Sequence, residues 1–168
     1  MAEAASAPAA ASASQPTGMP ADAASTRAAA TGGAQTCAAS ATQGRARCMC
    51  GRVRMVARFP SRFCAHCHCE SCRRAHAAGF VTWIGFTSPQ VTVTEGAELV
   101  RSYTSSPGTS RTFCKHCGTR LTFESQKWPG ETHIPLACFD TTVDRAPDGN
   151  SFVEEHAPWI VPTVFDHE

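Results

Sequence analysis

Apolar and polar residues alternate along positions 52–59: Val53, Met55, Ala57 and Phe59 share one side, while Arg52, Arg54 and Arg58 share the other. A period of two predicts a half-buried strand with a basic outer face. Pro60 ends it, because proline has no N–H for a strand ladder. Positions 80–86 (FVTWIGF) are dense in aromatic and β-branched residues and predict a second strand. Ser88-Pro89 turns the chain into a short strand over 91–94, and Glu95-Gly96 turns it into another over 99–103, which Ser106-Pro107-Gly108 breaks. Residues 111–113 and 121–123 flank a further turn, and 133–139 is the last predicted strand. Residues 73–78 predict one helical turn before Gly79. There is no internal repeat and no long amphipathic helix. The expected fold class is mostly β, with antiparallel sheets.

Residues 1–43 carry no such pattern. They are dominated by Ala, Ser, Thr, Gly and Pro, with almost no large aliphatics. Such a stretch buries too little apolar surface to offset its ordering entropy, so a disordered tail is expected over 1–43 and one folded domain over 44–168. The tail lacks the basic start and apolar run of a secretion signal, and Glu3 and Asp22 weigh against an organellar transit peptide. No run approaches the roughly 18 apolar residues of a membrane span. A cytoplasmic protein that does not engage a membrane is expected. In that setting ten cysteines are better read as metal ligands than as disulfides.

Net charge is only +1, which argues against a general nucleic-acid binder. The charge is uneven all the same. Residues 44–74 hold eight arginines against Glu70, and 131–168 hold eight acids against Arg145. Two solvated faces of opposite sign would account for this; arginines placed to attract an anionic small molecule would be the functional reading.

The cysteines sort by spacing. Cys48-x-Cys50-Gly51 and Cys114-x-x-Cys117-Gly118 each sit at a turn beside a strand, and four thiolates from two such turns make a closed tetrahedral site typical of structural zinc. The alternative is that each pair is a redox dithiol; C-x-x-C could serve as one, but C-x-C beside an unrelated pair would be an odd companion. Residues 64–72 are denser, with four cysteines and two histidines in nine positions. Cys67, Cys69 and Cys72 could chelate one ion from a tight loop, and three protein ligands characterise catalytic zinc with an open fourth position. Cys64, His66 or His68 could equally close that position. Spacing alone leaves both ligand sets open. Cys37 is expected to be a free thiol in the tail and Cys138 a buried hydrophobe. Glu70 and Asp140 are candidate general bases only if they reach an open position.

Taken in order, Cys48-x-Cys50-Gly51-x-Val53, Cys67-His68-Cys69-x-x-Cys72-Arg73-Arg74 and Arg111-x-Phe113-Cys114-x-x-Cys117-Gly118 resemble the glutathione-dependent formaldehyde-activating enzyme (GFA) family, which includes centromere protein V. The resemblance runs from about Arg47 to Trp159 and extends to Gly79-Phe80-x-x-Trp83, Tyr103-x-Ser105-Ser106, Phe139-Asp140 and Pro158-Trp159. It implies small antiparallel sheets held by a structural zinc, like those of zinc-binding Rab-associated chaperones. It implies two zinc ions per chain: a structural one on Cys48, Cys50, Cys114 and Cys117, and a catalytic one on Cys67, Cys69 and Cys72 with an open corner. The implied activity is that of a carbon–sulfur lyase joining a small thiol such as glutathione to formaldehyde or a similar aldehyde, with Arg73 and Arg74 as candidate contacts to the thiol's carboxylates. Centromere protein V suggests the alternative of a non-catalytic zinc module for protein or nucleic-acid interaction.

Overall fold

The structure is a computed structural model and describes residues 42–165. The tail expected over 1–43 and its Cys37 therefore lie almost wholly outside the described residues. The chain forms β1 (Gln43–Arg47), β2 (Arg54–Arg58), β3 (Phe63–Cys67), α1 (Glu70–His76), β4 (Val81–Thr87), β5 (Val91–Glu95), β6 (Val100–Ser106), β7 (Thr109–Cys114), β8 (Arg120–Ser125), β9 (Glu131–Pro135) and β10 (Asn150–Ser151). Strands β1-β2-β5 make a three-stranded sheet, and β10-β3-β4-β9-β8-β7-β6 a seven-stranded one. The mostly β expectation holds. Pairing is antiparallel except where β10 runs parallel to β3.

β2 follows its alternation, burying Met55 and Ala57 and exposing Arg54 and Arg58. Its partner β1 was not expected, and the ladder already includes Gln43. The reason is a faint apolar signal: the inward residues of β1 are Gly44 and Ala46. A Cβ at Gly44 would lie 2.8 Å from the ring of Phe139, so the aromatic partners supply the bulk that β1 lacks.

β4 lies between β3 and β9, and burial on both faces explains its apolar run over 83–86. One face carries Ile84 and Phe86, which join Cys64 and Ile134 in the main core with Met55 of the small sheet and Val53 just before it. The other face carries Val81 and Trp83, which join Cys67, Cys72 and Phe123 in a second cluster.

The predicted strand over 133–139 stops at Pro135, and Leu136–Cys138 is a 3-10 turn that keeps Cys138 buried. The predicted helical turn starts earlier, at Glu70, which brings Cys72 onto the helix. The expected tight loop over the cysteine cluster is instead strand β3 as far as Cys67. No helix among the described residues is long and apolar enough to cross a membrane.

Candidate metal centres and the adjoining cavity

The first thiol cluster joins two turns of similar build. Gly51 at φ +75° donates its N–H to the Cys48 carbonyl (2.9 Å), and Gly118 at φ +76° donates to the Cys114 carbonyl (2.8 Å). Both glycines hold left-handed backbone that other residues adopt only at a cost, which lets each chain fold back under its thiols. The first turn links β1 to β2, the second β7 to β8, so the cluster bridges the two sheets.

The Sγ atoms of Cys48 and Cys50 are 3.3 Å apart and those of Cys50 and Cys114 are 4.0 Å apart; all four, with Cys117, lie within 4.8 Å of one another. Tetrahedral zinc with bonds of about 2.3 Å needs sulfurs about 3.8 Å apart, so the set fits. Electrostatics agree. Burial pushes Cys117 up, but hydrogen bonds from Thr119 and then Cys50 outweigh it and hold the thiol down to about 5. At Cys50 the Arg52 backbone favours the thiolate, yet burial and the neighbouring thiols push it up to about 11. Thiols this close oppose one another's ionisation, a conflict that a cation removes.

The second cluster comprises Cys67, Cys69 and Cys72, again with all Sγ atoms within 4.8 Å and with Cys67 and Cys69 at 3.5 Å. Cys67 closes β3. Cys69 caps α1, its sulfur accepting the Cys72 N–H at 3.3 Å, and Cys72 sits in the first turn. The short β10 pins the segment between them: the His68 N–H reaches the Ser151 carbonyl (2.9 Å), and His68 Nε2 donates to Asn150 Oδ1 (2.8 Å). Three sulfurs at this spacing fit a zinc ion on one side.

The three groups named from the sequence as able to close a fourth position do not join the trio. Cys64 is three residues from Cys67 on one strand, so it points to the opposite face. There it is buried in the main core, which pushes its thiol up to about 11. His66 Nδ1 hydrogen-bonds Thr82 Oγ1 at 2.9 Å and its ring packs on Phe80. His68 engages Asn150 through Nε2, and its Nδ1 is buried without a hydrogen-bond partner and is not part of the thiol cluster. Among the described residues no imidazole, carboxylate or fourth thiol joins the trio.

One residue of the surroundings was visible in the sequence only as part of a motif. Arg111, on β7 and 4 % exposed, places Nη2 3.7 Å from Cys72 Sγ and Nε 3.2 Å from Ser105 Oγ, with its guanidinium 4.7 Å from the centre of the Phe123 ring. Its Nη1 is buried without a partner. The thiols of Cys67 and Cys69, then Arg111, hold Cys72 well below the usual thiol range. A buried arginine beside three sulfurs is a counter-charge: three thiolates around a divalent cation would carry a net charge of −1, and the guanidinium cancels it.

The trio opens into a cavity of about 690 Å³. Its wall is one face of the large sheet. Phe63 opposes Gly85, Gly85 opposes His133, His133 opposes Phe123, and Phe123 opposes Arg111, so the row crosses β3, β4, β9, β8 and β7 on a single side. Gly85 is required there, since a Cβ would sit 2.1 Å from the Phe63 ring. Trp83 and Trp128 complete the wall, packing on Phe123 at 5.6 and 6.1 Å. Burial lowers the His133 pKa against the opposing pull of Glu131, whose carboxylate accepts its Nε2–H at 3.0 Å.

The other residues singled out from the sequence do not line this cavity. Arg73 is held by the carbonyls of His68 and Glu155, and Arg74 pairs with Glu70. Asp140 pairs with Arg47 beside the first cluster. The arginine-rich half also pairs with the acidic half through Arg62 and Glu131. Of the two readings of the charge pattern, solvated and paired faces describe these residues.

Comparison with known proteins agrees with the motif order. Over 76 residues the chain is 34 % identical to an uncharacterized lyase of Schizosaccharomyces pombe, a match covering 45 % of this chain and about half (53 %) of that protein. It is 29 % identical over 122 residues to a Halomonas elongata protein named as a candidate glutathione-dependent formaldehyde-activating enzyme, covering 67 % of this chain and 76 % of the relative. A crystal structure of a Rhodobacter sphaeroides protein shares the fold, with a TM-score of 0.54, 20 % identity, and coverage of 64 % of this chain and 99 % of that one. The family described as "Glutathione-dependent formaldehyde-activating enzyme" matches residues 43–155, and with its three cysteine motifs in order this chain belongs to the GFA family.

Proposed function

We propose that this protein is a zinc-dependent carbon–sulfur lyase that makes or breaks the adduct between a small thiol, of which glutathione is the family's example, and an aldehyde. The observation that carries the reading is a three-thiol cluster with no fourth ligand among the described residues, facing a cavity large enough for an organic molecule. Cys48, Cys50, Cys114 and Cys117 hold a structural zinc that ties the small sheet to the large one. Cys67, Cys69 and Cys72 hold the second. When bound there, zinc supplies Lewis acidity that lowers a thiol's pKa or polarises a carbonyl oxygen.

The chain's own residues do the rest. The Cys67 thiol and the Cys72 N–H favour ionised sulfur at Cys69, but the Cys72 thiol and burial outweigh them and push it up, a conflict that a bound cation would relieve. Arg111 balances the charge of the trio from beneath the wall. The aromatic wall excludes water from one side, so that the reacting sulfur and carbon meet in a low-dielectric setting. In the net reaction a sulfur–carbon bond forms, the carbonyl π pair becomes a hydroxyl, and the thiol proton ends on that oxygen. Nothing is oxidised, and no covalent intermediate with the chain is needed.

Cobalt substitution tests this reading. Two metals per chain are expected, and a thiol should shift the absorption of one of them. A spectrum indifferent to thiols, with no acceleration of adduct exchange, would refute it and favour a non-catalytic zinc module.

A further inference from the structure

The cavity of about 690 Å³ has to hold the thiol together with its aldehyde, so its lining rather than its size discriminates between aldehydes. That lining chemistry is specific. Lys127 and Glu155 are the charged side chains that line it, and Glu155 already accepts the Glu70 N–H at 2.8 Å. Two aromatic rings that line it are left in contact with solvent: Trp128, 37 % exposed, and Phe152, 39 % exposed. A core role would have buried them.

Phe152 adds a second anomaly. Its backbone sits at φ +56°, ψ +44°, a left-handed conformation unusual for a bulky residue and worth about 1–2 kcal/mol of strain. Glycine would hold that turn without strain. The chain instead keeps a phenyl ring there, on a cavity wall and half in solvent. Burial does not explain the ring.

We propose that the carbon side of the adduct handled here is aromatic: the site takes an arylaldehyde, or the hemithioacetal it forms with a thiol, and seats the ring on Trp128, Phe152 and the Phe123–His133 wall. This rests on the thiol-adduct reading and goes beyond it by naming the second substrate's class. Rings prefer to meet aromatic side chains at centroid separations of about 4.5–7 Å, and the wall's own pairs already stack this way, Phe123 with His133 at 5.5 Å and Trp128 with His133 at 5.8 Å. The chemistry is unchanged: ArCHO and RSH give ArCH(OH)SR, with the thiol proton on the oxygen.

The test is binding of stable analogues to the full-length, zinc-loaded protein by calorimetry, with tryptophan fluorescence as a second signal. Two probe pairs are used, S-benzylglutathione against S-methylglutathione and benzyl mercaptan against ethyl mercaptan. The benzyl member should bind at least about tenfold tighter in one pair or both, the low end for burying a phenyl group. It alone should quench tryptophan emission in the unaltered protein. Trp128→Ala and Phe152→Gly should each erase most of that preference; the glycine keeps the left-handed backbone and so removes only the ring. Binding without a benzyl preference overturns this inference alone. A preference that survives both substitutions also overturns it, because the ring would be seated elsewhere. Failure of all four probes to bind sinks the thiol reading itself, and this inference with it.

Discussion

Arg111→Met removes the buried counter-charge while nearly preserving the stem's volume, and its effect should fall on one metal site only. At 3.7 Å from Cys72 Sγ, a guanidinium and a thiolate attract by about 4 kcal/mol at an effective dielectric of about 20. Burying the arginine costs part of that, and mutational series place charge-assisted hydrogen bonds at about 1.5–3 kcal/mol net. The expected loss of metal affinity at the three-thiol site is therefore roughly ten- to a hundredfold. Chelator competition against the zinc-loaded protein, with two release phases resolved, reads this directly. The four-thiol site is separate from Arg111 and should release as before. Arg111→Lys keeps the charge but not the fork that reaches Ser105 and Cys72 together, so it should fall between the two. Unchanged release from both sites, or an equal loss at both, would refute the counter-charge argument and leave Arg111 a packing residue.

Cys114→Ser should prevent folding or abolish a cooperative melt, because structural zinc contributes about 10 kcal/mol or more against a typical domain stability of about 5–15 kcal/mol; Cys69→Ser should still melt cooperatively, with one zinc per chain. Cys64→Ala should cost about 1 kcal/mol through lost packing, yet retain two zincs and full thiol response, and loss of one zinc would place Cys64 in the second site after all. Burial pushes the Cys138 thiol up to about 12, so mass spectrometry should find it unalkylated by iodoacetamide at pH 8 in the folded protein and labelled after denaturation. Gly85→Ala puts a methyl group into the Phe63 ring and should lower stability by about 1–3 kcal/mol in a denaturant melt.

Much of the metal chemistry was legible in the chain. Cys48, Cys50, Cys114 and Cys117 are paired by short spacings next to glycines, and a turn of that build presents two sulfurs to one ion almost regardless of what surrounds it. The strands of residues 54–58 and 81–87 were equally visible, because alternation and β-branched density are local properties. β1 and β10 were not. β1 draws its inward bulk from Phe139 across the sheet, and β10 is two residues long and exists only as a ladder against β3.

The second site divides along the same line. That Cys67, Cys69 and Cys72 could share an ion follows from their positions alone. Whether Cys64 completes the set depends on whether residues 63–67 form a loop or a strand: a loop can gather all four sulfurs, while a strand sends Cys64 and Cys67 to opposite faces. Neighbours distant in sequence, β4 on one side and β10 on the other, make it a strand. The same long-range pairing aligns Phe63, His133, Phe123 and Arg111 into one wall from four separate strands. Residue types set which metals the two clusters could hold; the ladder between strands decides that Cys64 faces away from the trio and which side chains line the cavity beside it.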